Sequence, residues 1–445
     1  MKILFISLGC DKNLVDSEEM LGLLARKGYT MTDDEEQADI IIINTCCFIN
    51  DAKEESVQTI LEMAEYRKKG TCKALIVTGC LAQRYREEIT TEIGEVDAVL
   101  GTSSYDEIVE TVERVLAGQK YLHFQTLERL PMPDAGRVVT TGGHYAHLKI
   151  AEGCDKHCTY CIIPKIRGNF RSVPMERLLA QAEELAAQGV KELILVAQET
   201  TLYGVDLYGK KSLHLLLREL CKIKGIRWIR VLYCYPEEIY DELIETIRDE
   251  KKVCHYLDLP IQHASDRILK RMGRRTSKEQ LVEIITKLRR EIPDIALRTT
   301  LISGFPGETQ ADHEELMAFV DEMEFERLGV FTYSQEEDTP AAAMEDQIAQ
   351  EIKEARRDEL MELQQEIVFE KNDACRGRVV TAMVEGYLTD ENVYVARTYA
   401  DAPGIDGYLF IETQETLMSG DFARVRITGA LEYDLIGEIE NEFAE

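Results

Sequence analysis

The chain is short of positive charge and has no long apolar run. Its 445 residues carry 52 lysines and arginines against 82 aspartates and glutamates, a formal net charge of -30. That balance disfavours non-specific binding to nucleic acid and favours basic partners. No stretch is apolar for long enough to cross a bilayer, and Met1-Lys-Ile-Leu-Phe-Ile-Ser-Leu-Gly9 is too short for a secretory signal and has no cleavage site, so a cytoplasmic protein without a membrane partner is expected. No Gly-Lys-Ser/Thr ending follows its glycines, which excludes the phosphate loop of nucleotide hydrolases. Twelve cysteines are present, and a reducing compartment makes disulfides a poor use for them. Ligation or burial must account for them.

Three of the twelve stand in Ile150-Ala-Glu-Gly-Cys154-Asp-Lys-His-Cys158-Thr-Tyr-Cys161, after a strand-like run and with no fourth cysteine nearby. Three thiolates hold a four-iron cluster by three corners and leave one iron open, whereas a structural zinc closes a set of four ligands. The alternatives are a zinc knuckle that recruits His157 and cysteines that are merely buried. The Cys-x3-Cys-x2-Cys spacing resembles that of the radical S-adenosylmethionine (SAM) enzymes. The resemblance implies a [4Fe-4S] cluster on Cys154, Cys158 and Cys161 whose open iron takes SAM, reductive cleavage to a deoxyadenosyl radical, and an external electron donor. Tyr160 resembles the family's aromatic residue near the adenine.

Residues 1–117 alternate short apolar runs with amphipathic stretches, which predicts an open parallel α/β sheet. Cys10, Cys46 and Cys80 each stand at the end of one of its strands, and the carboxyl ends of such strands share one crevice. They are read as holding a second [4Fe-4S] cluster, the alternative being small residues that fill strand ends. Over almost its whole length the chain now resembles the methylthiotransferases, radical SAM enzymes that insert a methylthio group into a C-H bond. Gly9-Cys10-Asp11-Lys12-Asn13-Leu14-Val15-Asp16-Ser17-Glu18 is similar to the branch that modifies an aspartate of ribosomal protein S-twelve, rather than the branches that modify adenosine in tRNA. Cys47 departs from the glycine usual there, and the family's Asn-Thr-Cys register makes Cys46 the ligand.

Residues 118–143, with Pro131, Pro133 and the pair Gly142-Gly143, read as a linker. From 144 to 371 six strand-helix units predict the partial (β/α)6 barrel of radical SAM proteins, with its chemistry at the carboxyl mouth. Polar strand ends there are candidates for holding SAM: Gln198 and Glu199, Gln262 and Ser265, then Thr300, Ser303 and Gly304, the last in a glycine-rich segment that lets backbone approach the cofactor. For each the alternative is a cap or turn hydrogen bond. No general base is nominated. Cys72, Cys221, Cys234, Cys254 and Cys375 are read as packing residues.

Residues 372–445 form five short strand-like runs, a small barrel of the OB type that resembles a TRAM domain. Five arginines and no lysine against fifteen acids leave it a net charge of -10, which repels phosphates and attracts a basic ribosomal protein. The resemblance implies methylthiolation of an aspartate β-carbon in S-twelve, and the charge count speaks against tRNA, the rival substrate. An iron-sulfur protein that docks on ribosomes without catalysis is the rival of another class.

Overall fold

A computed structural model describes residues 1–70, 72–133 and 136–440. Asp134 and Ala135 of the expected linker and the last five residues of the expected third domain lie outside them.

The first domain is a six-stranded parallel sheet of β1 (Lys2–Ser7), β2 (Thr30–Met31), β3 (Ile40–Thr45), β4 (Ala74–Gly79), β5 (Ala98–Leu100) and β6 (Tyr121–His123), in the order β2-β1-β3-β4-β5-β6. Its central strand β3 begins with four isoleucines because both its faces are covered. Ile41 and Ile43 enter one core and Ile40 and Ile42 the other, as strand alternation requires. The chain turns from one side of the sheet to the other between β1 and β3, and the crevice beyond their carboxyl ends is where such sheets bind ligands. Residues 118–143 are more than a linker. β6 pairs in parallel with β5 and completes the sheet, so the first domain extends past residue 117.

After β7 (Tyr145–Lys149) comes a short antiparallel pair, β8 (Ala151–Glu152) and β9 (Arg171–Ser172). The second sheet then adds β10 (Glu192–Val196), β11 (Trp228–Val231), β12 (Val253–Asp258), β13 (Ala296–Ser303) and β14 (Arg327–Thr332). Its order, β14-β13-β12-β11-β10-β7, is that of six successive parallel strands, an open partial barrel. Leu193, Leu195, Val231, Leu257 and Leu297 point outward into the helix-covered core, while Ile194, Val196, Leu232 and Tyr256 line the opposite face.

The C-terminal domain is a closed barrel of β15 (Val379–Leu388), β16 (Val393–Thr398), β17 (Leu409–Glu412), β18 (Phe422–Ala430) and β19 (Leu435–Ile439). The segment after β16 leaves this barrel and packs Ala402 against the inner face of the second sheet. Charges go in with it. Arg397 reaches Glu192 at 2.6 Å, Arg327 reaches Asp401 at 2.8 Å, and Arg298 bridges Asp258 at 2.9 Å and Asp406 at 3.3 Å. Buried ions are tolerable only in such pairs, because an unmatched one keeps its desolvation cost.

Candidate functional site

Cys154, Cys158 and Cys161 occupy the loop between β8 and the helix Ile163–Arg167. The loop is pinned by Cys154 N–H to Gly168 O, Thr159 N–H to Met272 O and Ala341 N–H to Thr159 O. Gly153 has φ of 79°, and a Cβ there would fall 2.1 Å from the Asn169 carbonyl oxygen, so the approach to the first cysteine needs glycine. Burial pushes the Cys154 thiol up to about 12 and raises Cys161 as well, each with the neighbouring thiols adding to the effect. Thiols held neutral by burial and crowding become thiolates on taking iron. His157, by contrast, is exposed, with φ of 52°.

Cys10 precedes the first turn of the helix Asp11–Arg26, Cys46 follows β3, and Cys80 begins the helix Cys80–Tyr85. Asn13 ties two of these corners together, its amide donating to Leu8 O at 2.8 Å and to Thr45 O at 3.0 Å. A Cβ on Gly9 would stand 2.8 Å from the Cys46 sulfur, so that sulfur lies against the turn bearing Cys10. Burial raises Cys46, and it faces Cys10 and Arg167. Cys47 packs in the apolar core and faces Arg84 and Glu336 instead, with burial pushing it up to about 12. Cys46 thus lies on the side of Cys10 and Arg167, and Cys47 on the side of Arg84. Among the described residues no three His, Cys, Asp or Glu side chains are gathered so as to hold one metal ion. A cubane's thiolates each meet a different iron, so they ring a volume rather than a point.

Residues beside the first triad and a cysteine of the second converge on the segment just beyond the carboxyl end of β11, which residue spacing did not disclose. Tyr233, with φ of 60°, lies under the Lys12 ammonium at 3.3 Å and donates from its hydroxyl to Asp11 at 3.2 Å. Two residues on, the Tyr235 hydroxyl is 3.6 Å from the Cys158 sulfur. Beside them a buried network joins the domains. Arg167 contacts Asp16 at 2.8 Å, Glu152 at 3.0 Å and Asn13 at 2.7 Å, and Lys149 reaches the same two carboxylates. The one legible sign of it was a helix face bearing Asn13, Asp16 and Ser17 where an apolar stripe belongs, all three buried. Cys234, between the two tyrosines, is fully buried, with its sulfur 3.3 Å from the Thr200 hydroxyl.

The residues expected to hold SAM divide. Gln198 donates to Glu152 at 2.9 Å and leaves its amide oxygen buried without a hydrogen-bond partner among the described residues. Glu199 is fully buried; burial pushes its carboxyl up to about 7, against the opposing pull of its bond from Thr201 and of Lys156, and its second oxygen is unpaired in the same sense. Two orphaned acceptors at one strand end beside Cys154 suit a ligand that brings an ammonium and hydroxyls, as SAM does. Tyr160 meets Phe305 edge-on with ring centroids 6.5 Å apart, at the rim of the same mouth. Gln262, with φ of 70°, bridges to β13 through its backbone, and Thr300 accepts from Arg298 at 3.1 Å. Two side chains are engaged by the scaffold. Ser265 donates to Asp312 at 2.7 Å, and the buried Ser303 donates to Lys353 O at 3.0 Å in the long helix Gln350–Asp373. Gly304 is glycine because a Cβ would lie 2.3 Å from Lys353 Cγ, a packing reason and not proof of a ligand.

Three family models match the chain: the uncharacterized protein family UPF0004 over residues 2–101, the radical SAM superfamily over 148–320 and the TRAM domain over 377–439. The ribosomal protein uS12 methylthiotransferase RimO of Lachnoclostridium phytofermentans is 65% identical over 440 residues, 99% of this chain and 100% of that one. The enzyme of the same name from Acetivibrio thermocellus is 52% identical over 99% of each chain. Among solved structures, the radical S-adenosylmethionine methyltransferase TsrM from Kitasatospora setae, with tryptophan and a SAM analogue bound, superposes with a TM-score of 0.52 at 14% identity, covering 74% of this chain and 72% of that one. That likeness is one of fold.

Proposed function

The chain belongs to the radical SAM methylthiotransferases, in the branch of the uS12 enzymes, and from that membership we propose that it adds a methylthio group to the β-carbon of an aspartate in ribosomal protein uS12. Two [4Fe-4S] clusters and SAM are the cofactors of such an enzyme, and an external donor supplies the electron. Cys154, Cys158 and Cys161 would hold one cluster and Cys10, Cys46 and Cys80 the other. When bound, these groups supply the one-electron chemistry that opens an unactivated C-H bond and the sulfur and methyl group that replace the hydrogen.

What remains for the protein is placement. The observation that carries the reading is the convergence at β11, where Tyr235 touches Cys158 while Tyr233 is held by Lys12 and Asp11, the two residues after Cys10. One target carbon can then stand between the two triads without leaving the site. Gln198 and Glu199 offer their orphaned oxygens to SAM, and Tyr160 offers an apolar ring to its base. The buried network of Arg167, Lys149, Asp16 and Glu152 fixes one domain against the other and shuts water out of the seam.

The C-terminal barrel supports the choice of a basic protein as substrate. Asp390, Glu391, Glu412, Glu415, Glu432 and Glu438 are exposed on it, while Arg397 is buried in the ion network and adds nothing to the surface. Among the described residues no helix is long and apolar enough to cross a membrane, and a ribosomal substrate puts the reaction in the cytoplasm. The test is the mass of uS12 from cells with and without the gene. A mass increase equal to a methylthio group in place of hydrogen is expected only with it. Unchanged uS12 together with loss of a methylthio-adenosine from tRNA would overturn the substrate assignment.

A further inference from the structure

Of the buried cations in the described residues, Lys149, Lys156, Arg167, Arg230, Arg356 and Arg397 bond carboxylates, because a buried charge without a partner keeps its desolvation cost. Lys353 and Arg274 donate instead to the carbonyls of Tyr333 and Pro260, at 2.8 and 2.9 Å. Lys12 does neither. It is 7% exposed, yet among the described residues its ammonium bonds no carboxylate and no carbonyl, and it rests on the Tyr233 ring, 3.3 Å from the centroid. The acid next to it is engaged elsewhere: Asp11 accepts from the Tyr233 hydroxyl at 3.2 Å and stands 3.5 Å from His147 Nε2. A ring face attracts a cation but leaves the ammonium's donors over for an acceptor.

The place matters as much as the deficit. Lys12 follows Cys10 by two residues, and the ring beneath it belongs to the segment whose Tyr235 hydroxyl is 3.6 Å from the Cys158 sulfur. The ammonium therefore lies beside the position a substrate carbon takes if it is to be reached from both triads. Entry is open, since Cys10 is exposed and Asp11, Tyr233 and Tyr235 are half-buried. An aspartate side chain brings there the acceptor that Lys12 lacks. Bonds from an ammonium to a carboxylate run about 2.7–2.9 Å. The carboxylate carbon is joined to the β-carbon by one bond of about 1.5 Å, so a grip on the carboxylate fixes the carbon next to it. An adenine brings no anion, and the ammonium already covers the face of Tyr233 on which a base would stack.

We propose that Lys12 is the residue that selects aspartate: its ammonium takes the side-chain carboxylate of the target residue and so holds the β-carbon between the two triads. The inference rests on the reading of the chain as a uS12 methylthiotransferase, and it names how such an enzyme chooses its residue. Lys12 moves no proton in this role; it binds and orients.

The experiment uses the full-length, cluster-loaded protein with two forms of fluorescently labelled uS12, read by anisotropy: the native protein, and one in which the aspartate found by mass to be modified is replaced by asparagine. Wild type is expected to bind the native form about tenfold or more tightly than the asparagine form, the range of one charge-assisted hydrogen bond. Lys12→Met and Lys12→Gln, both uncharged, should bind the two forms equally, and Lys12→Arg should keep part of the preference. Iron content at the wild-type level shows that a variant folds and loads. A lysine that only supports the fold would, when replaced, lower both affinities alike and leave their ratio unchanged. The proposal is overturned if wild type binds the two forms equally, a result that needs no variant, or if the uncharged variants keep the full preference for aspartate. Failure of the proposed function looks different: wild type then neither binds nor modifies uS12, and this inference falls with it.

Discussion

Arg167 stands 3.5 Å from the Cys80 sulfur, although it ends the short helix that begins two residues after Cys161. One peptide segment thus carries a cysteine of the barrel triad at one end and a cation beside the other triad at its far end. The cation opposes the burial that raises Cys80, and so eases that thiol toward the thiolate that iron requires. Arg167→Gln would leave Asp16 and Glu152 buried with Lys149 as the cation that still bonds both, and Gln198 still donating to Glu152. Removing one partner of a buried pair costs about 3–5 kcal/mol, so a clear drop in melting temperature is expected. Iron should fall toward the content of the barrel cluster alone, and Arg167→Lys should recover part of both losses. Iron analysis and thermal unfolding of the two variants check this.

Anaerobically reconstituted protein should bind about eight irons per chain, on the rule of one cubane of four for each triad. Cys158→Ala should remove about half of the iron and abolish SAM cleavage, while Cys80→Ala should remove the other half and leave cleavage intact. Wild-type protein that saturates at one cluster would defeat the two-cluster reading.

The neighbours Cys46 and Cys47 are separable by substitution. Cys47→Gly should retain both clusters and methylthio transfer, at a stability cost of roughly 1–2 kcal/mol for the side chain it removes from the apolar core. Cys46→Ala should lose the first-domain cluster. The reverse pattern of iron loss would make Cys47 the ligand.

These sites were legible to different depths. The first-domain triad suggested itself because Cys10, Cys46 and Cys80 each follow an apolar run, and the end of a parallel strand is a defined place in space; the second suggested itself through its Cys-x3-Cys-x2-Cys spacing alone. The six barrel strands and the five of the C-terminal domain were legible as short apolar or alternating runs between turn residues. The meeting of Lys12 with Tyr233 was not, because residues 221 positions apart carry no periodicity that relates them. Nor were the roles of Ser265 and Ser303. A serine at a strand end reads alike whether it faces a cofactor or caps the scaffold, and only the seating of the helix Gln350–Asp373 decides the case of Ser303. β2 and β6, two and three residues long, are held by pairing to neighbours rather than by any run of their own.

Glu199 gives the cofactor-free protein a pH dependence. Burial favours its neutral form in the folded chain, while the unfolded carboxyl ionises near 4.5. Between that value and about 7 the folded state retains a proton that the unfolded state has lost, so this contribution to stability is present at low pH and is lost as pH rises through about 7. Glu199→Gln should therefore equal wild type near pH 4.5 and gain on it up to pH 8, with an upper bound of about 3 kcal/mol. Melting curves across that range measure the difference, and a constant offset would contradict it.

Binding of uS12 should depend on the acidic barrel as a whole. Surface ion pairs are individually weak, so neutralising Asp390, Glu391, Glu412 and Glu415 together should weaken binding where any one alone does little. The attraction should also fade with salt, as the Debye length shrinks from about 10 Å at 0.1 M to about 3 Å at 1 M. A salt series on the full chain, with uS12 and with tRNA, distinguishes the substrates: tight, salt-sensitive binding to tRNA alone would refute the assignment.

The segment that leaves the C-terminal barrel also sets a timetable for the chain's birth. Arg298, Arg327 and Arg230 belong to strands made in the middle of synthesis, yet Asp401, Asp406 and the Tyr399 carbonyl that receive them emerge near the end. Domains otherwise fold in the order in which they leave the ribosome. Here the middle domain must wait with its inner face unfinished until residues 399–406 are out, and iron offered earlier would meet a mouth whose floor has not yet been laid.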